Sequence, residues 1–175
     1  MDSIISLILS LSMMMSLGEI RGDETEDDGR RYALDHVWFS MTEDQRADAP
    51  IELKAQAVGL TVDEFIFFSQ CVEAESNRSS DDLIGRTLIA LTIYNRVNDS
   101  RFEDDITGVI TEGGQFEVYS SGAIYSVSRS SLSDQAILEA HSWLEEGAPY
   151  VLYFNNSGYT GEPYGYYGGN YFTLG

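Results

Sequence analysis

Residues 81–97, DDLIGRTLIALTIYNRV, constrain the fold more than any other stretch. Ile84, Leu88 and Leu91 recur at helical spacing, and Leu83 and Tyr94 widen that row into a broad apolar stripe. A helix apolar over so much of its circumference has to be surrounded by other elements. The spacing predicts a helix from Asp81 to about Val97, with Ser79 and Ser80 as its cap. A second helix is expected just before it. Thr61 with Glu64 three residues later makes a capping box. From there Phe65, Phe68, Val72 and Ser76 share one face, widened by Ile66, Phe67 and Ser69, and the helix runs to about Glu75.

The remaining elements are shorter. Asp35–Met41 reads as a helical turn, and Pro50 opens a helix that ends near Gly59. Ile106–Ile110 is a short helical or extended piece, followed by a turn at Gly113-Gly114. Phe116–Val127, with Gly122 in its middle, is expected to form a hairpin. Ser133 is expected to cap a last helix over Asp134–Glu146, stopped by Gly147 and Pro149. Val151–Phe154 and Tyr171–Leu174 read as strands within a segment rich in Gly and Tyr. The order predicts an α+β fold, helix-dominant, with a small β element. At 175 residues the chain suits one folded domain, and it shows no repeat of solenoid period.

Charge removes whole classes of partner. Twenty-nine acidic residues against 10 basic ones give a net charge of −19, with no basic stripe. Nucleic acid is excluded as a partner, because phosphate binding needs concentrated Lys and Arg. Unaided adhesion to anionic lipid is disfavoured too. Cys71 is the single cysteine and sits in an apolar helix, so it reads as a core residue. Only His36 and His141 could act as a histidine base or ligand. A multi-cysteine zinc site is excluded, and neither a metal nor a cofactor is expected.

Residues 1–18 contain an apolar run, Ile4–Leu17, that is short for a membrane span of about 20 residues. It suits the core of an export signal, with Ser16 and Gly18 near a small-residue cleavage site, although only Asp2 and no Lys or Arg precedes it. A short membrane anchor is the second reading. Residues 19–31 include GDETEDDG and read as a solvated acidic linker. Residues 32–175 are left as the folded domain, expected to be monomeric, secreted or anchored outside the cell.

Two features carry chemistry. Glu75, in VEAES, follows the apolar run FIFFSQCV. A carboxyl there is either a partly desolvated acid, raised toward the range of a general acid, or a solvated group at a helix end. Seven of the 11 tyrosines lie from Tyr150 onward, interleaved with Gly and Asn. Flat apolar faces with polar tips suit sugars, but such rings also cap small sheets.

The stretch from Phe65 to Leu174 resembles the cell wall hydrolases of the SleB and CwlJ type. The resemblance rests on an ordered series: VEAES, Gly85 before an aliphatic helix, TIYNRVNDSRF at 92–102, ITGVI at 106–110 and GGQF at 113–116. LYFNN at 152–156 and the Gly-Asn-aromatic-Phe piece at 169–172 extend it. The chain departs from that pattern by two additional residues between Glu75 and Gly85, and by Glu103 where a proline is common. The resemblance implies a lysozyme-like domain that cuts the glycan strand of peptidoglycan between N-acetylmuramic acid and N-acetylglucosamine, as a lytic transglycosylase. By position, Glu75 is its acid/base. Glu73 lies about 200° around the helix and cannot share that face. Gln115, Asn95, Arg96, Tyr153, Asn155 and Tyr159 are the candidate substrate-binding residues. Asp81, Asp82 and Glu112 are candidates for a second acid if water attacks instead.

Two rivals remain: an N-acetylmuramoyl-L-alanine amidase, disfavoured by the scarcity of zinc ligands, and a non-catalytic wall-binding or envelope protein. The strong negative charge yields a test of any wall-directed role. Peptidoglycan carries carboxylates, so binding of the purified protein to sacculi should strengthen with salt up to moderate ionic strength. A steady weakening with added salt, measured by pull-down, contradicts this.

Overall fold

The computed structural model describes residues 37, 38, 40–76 and 82–175. The chain divides into a unit ending at Ser40 and a second unit, Met41–Gly175. In the first, Val37, Trp38 and Ser40 are helical, consistent with the expected turn. The apolar run, the acidic linker, and Asp35 and His36 lie outside the described residues.

The second unit is helix-dominant. Its helices are α1 (Glu43–Ala47), α2 (Ile51–Ala57), α3 (Val62–Glu75), α4 (Leu83–Val97), α5 (Ile106–Thr111), α6 (Glu117–Ser120) and α7 (Ser131–Glu146). A 3-10 turn covers Ala123–Ser126, and three short strands follow: β1 (Val151–Asn155), β2 (Pro163–Tyr167) and β3 (Asn170–Leu174). This is the expected α+β architecture.

Helix α4 is the centre of the body. Every residue from Gly85 to Arg96 is buried. It packs most extensively on α7 and also meets β1 and α3. Asp82 caps it, its side chain accepting from the Gly85 N–H at 3.0 Å. The expected caps Ser79 and Ser80 lie outside the described residues. Helix α3 opens with the capping box read from sequence: Thr61 Oγ1 accepts from the Glu64 N–H, and Glu64 Oε2 accepts from the Thr61 N–H at 2.9 Å. Phe65 and Phe68 of α3 are fully buried. Each contributes about 1.5–3 kcal/mol over an exposed ring.

One buried carboxylate ties three helices together. Asp134 of α7, 1% exposed, accepts from Ser69 Oγ of α3 at 2.8 Å and pairs with Lys54 of α2 at 3.3 Å. Arg129 also pairs with it. Such a group is tolerable inside only because its partners are present.

Two expectations fail locally. Phe116–Val127 is helix α6 and the 3-10 turn, not a hairpin. Phe116 and Ile124 are deeply buried, but Val118, Ser120 and Gly122, which would share their face in a strand, are not, so the burial does not alternate as a strand requires. Its N–H groups bond locally instead: Ser120 to the Phe116 carbonyl, Ser121 to Glu117 and Gly122 to Tyr119. Ser130, not Ser133, caps α7 by accepting from the Ser133 N–H at 3.1 Å. Gly147 ends α7 as expected, at φ +96°.

The sheet has the order β1-β3-β2, and both pairings are antiparallel. Tyr167 pairs with Asn170 across a two-residue turn of Gly168 and Gly169, both at positive φ. Such a turn suits glycine because both central residues are left-handed. Its tip rests on α4. A Cβ added to Gly85 would lie 2.9 Å from Gly168 Cα. Gly85→Ala should therefore destabilise the protein by about 1–3 kcal/mol, despite alanine's higher helix propensity. Urea unfolding checks this, with an unchanged or raised midpoint as the contrary result.

Candidate active site

Glu75 is the last residue of α3, where the helix gives way to the Ser76 cap. Ser76 Oγ donates to the Glu73 carbonyl at 2.9 Å, taking up one of the terminal carbonyls. Burial pushes the Glu75 carboxyl up to about 7. The Val118 N–H faces it and opposes that rise, the Glu117 carboxylate adds to it, and the Arg96 guanidinium opposes it. Desolvation is the dominant cause, in line with the first of the two readings that the apolar run FIFFSQCV left open. Cys71, one turn earlier, is fully buried, and burial beside Glu75 pushes its thiol up.

Glu73 has the opposite character. Its Oε2 accepts from Arg86 Nη1 at 2.5 Å, Ser130 Oγ at 2.6 Å and Ser133 Oγ at 2.7 Å. Burial alone would raise its carboxyl, but these donors outweigh it and hold it below the usual range. Glu73 is thus an ionised anchor between α3, α4 and the start of α7, while Glu75 stays poised to hold a proton near neutrality.

Arg96 is 4% exposed on α4. Its Nε donates to the Leu152 carbonyl at 2.9 Å. Its guanidinium carbon lies 5.0 Å from the Phe102 ring centroid, 5.2 Å from Phe116 and 5.7 Å from Tyr153. Burial lowers its pKa, while the carboxylate forms of Glu112 and Glu75 act against that. Neither Arg96 Nη1 nor Glu112 Oε2, both buried, has a hydrogen-bond partner among the described residues. Arg96, Tyr153 and Glu112 therefore gather on the Glu75 side of the body.

The other sequence candidates are deployed differently. Asn95 Nδ2 donates to the carbonyls of Pro149 at 3.1 Å and Val151 at 2.9 Å, stitching α4 to the entry of β1. Asn155 Oδ1 accepts from the N–H groups of Ser157 and Gly158, closing its own turn. Tyr159 packs edge-on against Tyr171, centroids 5.1 Å apart, within the sheet region. Gln115 sits half-buried between the Gly113-Gly114 turn and α6. Of the second-acid candidates, Asp81 lies outside the described residues and Asp82 caps α4. The carboxylate whose charge raises Glu75 is Glu117, which the sequence reading missed; no local signal marks it, because α6 meets α3 only through the fold. Among the described residues no group of three or more His, Cys, Asp or Glu side chains is arranged to hold a metal ion.

A helix-rich body with a half-buried carboxyl raised toward neutrality at a helix end has the geometry that an acid/base site requires. A model of the Cell Wall Hydrolase family matches residues 80–170, just over half the chain. The protein belongs to that family. The fold is that of two solved structures. One is the catalytic domain of the Bacillus cereus SleB protein, 24% identical, covering 65% of this chain and 91% of that one, TM-score 0.55. The other is the catalytic domain of the germination-specific lytic transglycosylase SleB from Bacillus anthracis, 24% identical, covering 65% and 96%, TM-score 0.53. No curated protein matches the chain. Glu75 precedes the matched stretch, so its role rests on the geometry around it.

The raised Glu75 carboxyl has a stability consequence. Between the ordinary value of 4.5 and about 7 the unfolded chain ionises while the folded chain stays neutral, so folding loses free energy across that window. The loss is on the order of 3 kcal/mol once the window is passed. Glu75→Gln should match the wild type near pH 4 and be more stable near pH 8. Urea unfolding at the two pH values checks the sign.

Proposed function

We propose that this protein cleaves the glycan strand of peptidoglycan between N-acetylmuramic acid and N-acetylglucosamine, as a lytic transglycosylase with Glu75 as its acid/base. The observation that carries the reading is the carboxyl of Glu75, raised to about 7 by burial at the end of α3. Family membership supports a cell wall as the substrate class. The Bacillus anthracis relative in fold is described as a germination-specific lytic transglycosylase, which supports the transglycosylase form of the reaction.

In the proposed reaction, protonated Glu75 donates to the glycosidic oxygen as the C1–O bond breaks through an oxocarbenium-like state. The N-acetylglucosamine end leaves with that proton. Glu75, now a carboxylate, takes the proton of the muramic acid C6 hydroxyl, and the C6 oxygen closes on C1. A 1,6-anhydro end forms, and Glu75 is protonated again. The nearby Arg96 charge favours the carboxylate in mid-cycle, while burial and Glu117 favour the acid at the start and end. A value near neutrality lets one group serve in both roles. A hydrolytic variant would need a second carboxylate to activate water, and Glu117 is the group whose charge reaches Glu75.

We further propose residues 1–18 as an export or anchor segment, 19–31 as linker and 32–175 as the wall-acting domain, working as a monomer outside the cell. Among the described residues no helix is long and apolar enough to cross a membrane.

Glu75→Gln should lower lysis of sacculi by about 10²–10⁴-fold with binding retained, and wild-type activity should fall as pH rises through about 7. Mass spectrometry of the released muropeptides should show anhydromuramic ends. Reducing ends would instead point to hydrolysis, and freed stem peptides to an amidase. Unchanged lysis by Glu75→Gln rejects the assignment.

A further inference from the structure

We propose that Phe67, Tyr119 and Tyr125 form an aromatic subsite that stacks a sugar ring of the glycan strand at a distance from the bond cleaved at Glu75. This rests on the reading of the chain as a glycan-cleaving enzyme.

The three rings make one cluster. Phe67 of α3 and Tyr119 of α6 meet edge-on at 6.4 Å. Tyr125 of the 3-10 turn lies 6.5 Å from Phe67, tilted by 30°, and 6.4 Å from Tyr119. Tyr125 is 68% exposed, so its ring adds little to the core.

Its backbone is nonetheless held firmly. Neighbouring Ile124 is fully buried, and Gln70 Nε2 of α3 donates to the Val127 carbonyl at 3.1 Å. Gly122, at φ +75°, sets the turn between α6 and this segment. An exposed ring on a turn anchored at both sides presents a prearranged face, which costs little entropy on binding.

The cluster is continuous with the acid. Val118, whose N–H faces Glu75, immediately precedes Tyr119. Phe67 and Glu75 lie on the same helix, eight residues and about 12 Å apart along its axis, more than one sugar unit. The charge nearby selects a neutral ligand. Glu117 stands two residues before Tyr119, and exposed Asp63 one helical turn before Phe67. An anionic stem peptide is repelled there, whereas the C–H face of a pyranose ring meets flat apolar rings and its hydroxyls meet the phenol tips.

The test compares kcat/KM on long glycan strands with kcat/KM on a tetrasaccharide fragment of peptidoglycan. In Tyr125→Ala the ratio of long to short should fall about tenfold, through KM. Tyr125→Trp should restore it, which a merely structural loss would not allow. The exposure of Tyr125 means the Ala variant should melt like the wild type. A wild type active on both substrates, with the ratio unchanged in Tyr125→Ala or unrestored by Trp, overturns the subsite alone. A wild type that opens neither substrate overturns the functional reading and this inference with it.

Discussion

Arg86 cannot be buried without an acid, and that requirement fixes the end of α3. The guanidinium is 4% exposed and meets Glu73, whose carboxylate also takes the hydroxyls of Ser130 and Ser133. Removing one partner of such a pair leaves an uncompensated charge inside. Ser130 serves twice, since the same hydroxyl accepts from the Ser133 N–H to start α7. The last turn of α3, the first of α4 and the first of α7 are thereby bound to one carboxylate. Glu75 follows two residues later, so its place is set by an ionised neighbour on the same helix.

Two glutamates on one helix are thus driven in opposite directions. Both lose water. Glu73 gains three donors in exchange and stays ionised, whereas Glu75 gains the Val118 N–H but also feels Glu117. The difference lies in the donors each finds, not in depth alone. A proton-holding carboxyl of this kind weakens the fold at neutral pH, and the surrounding structure has to carry the deficit. The wholly buried middle of α4 is where it does so.

Much of this was legible in the chain. The Thr61–Glu64 box, the apolar circumference of α4, the glycine stop at Gly147 and the strands at either end of the tail all follow from local rules. The apolar run before Glu75 left its carboxyl open between desolvated and solvated, and only the fold, which brings α6 against α3, decides it. Strand β2 was not legible: Pro163 and Gly165 are poor strand formers, and the strand exists because an edge position tolerates them. A Cβ on Gly165 would meet the Tyr167 ring, so the glycine there makes room for that ring. The 116–127 stretch carried the β-branched and aromatic residues of a hairpin but had no strand to face. Asn95 and Arg96 stood out as a motif, yet their partners are carbonyls more than fifty residues later, which no local pattern reveals.

The sheet order has a consequence for how the molecule comes together. β3, the latest-made of the three strands, lies in the middle, and β1 and β2 do not touch without it. The β1 carbonyls held by Asn95 and Arg96 fix that strand to α4, and the sheet forms on it only once β3 is present. Assembly of that face is then the docking of the β2–β3 hairpin onto β1, with its Gly168-Gly169 tip seated on Gly85. A chain interrupted after Tyr167 would carry two orphaned strands rather than a smaller sheet.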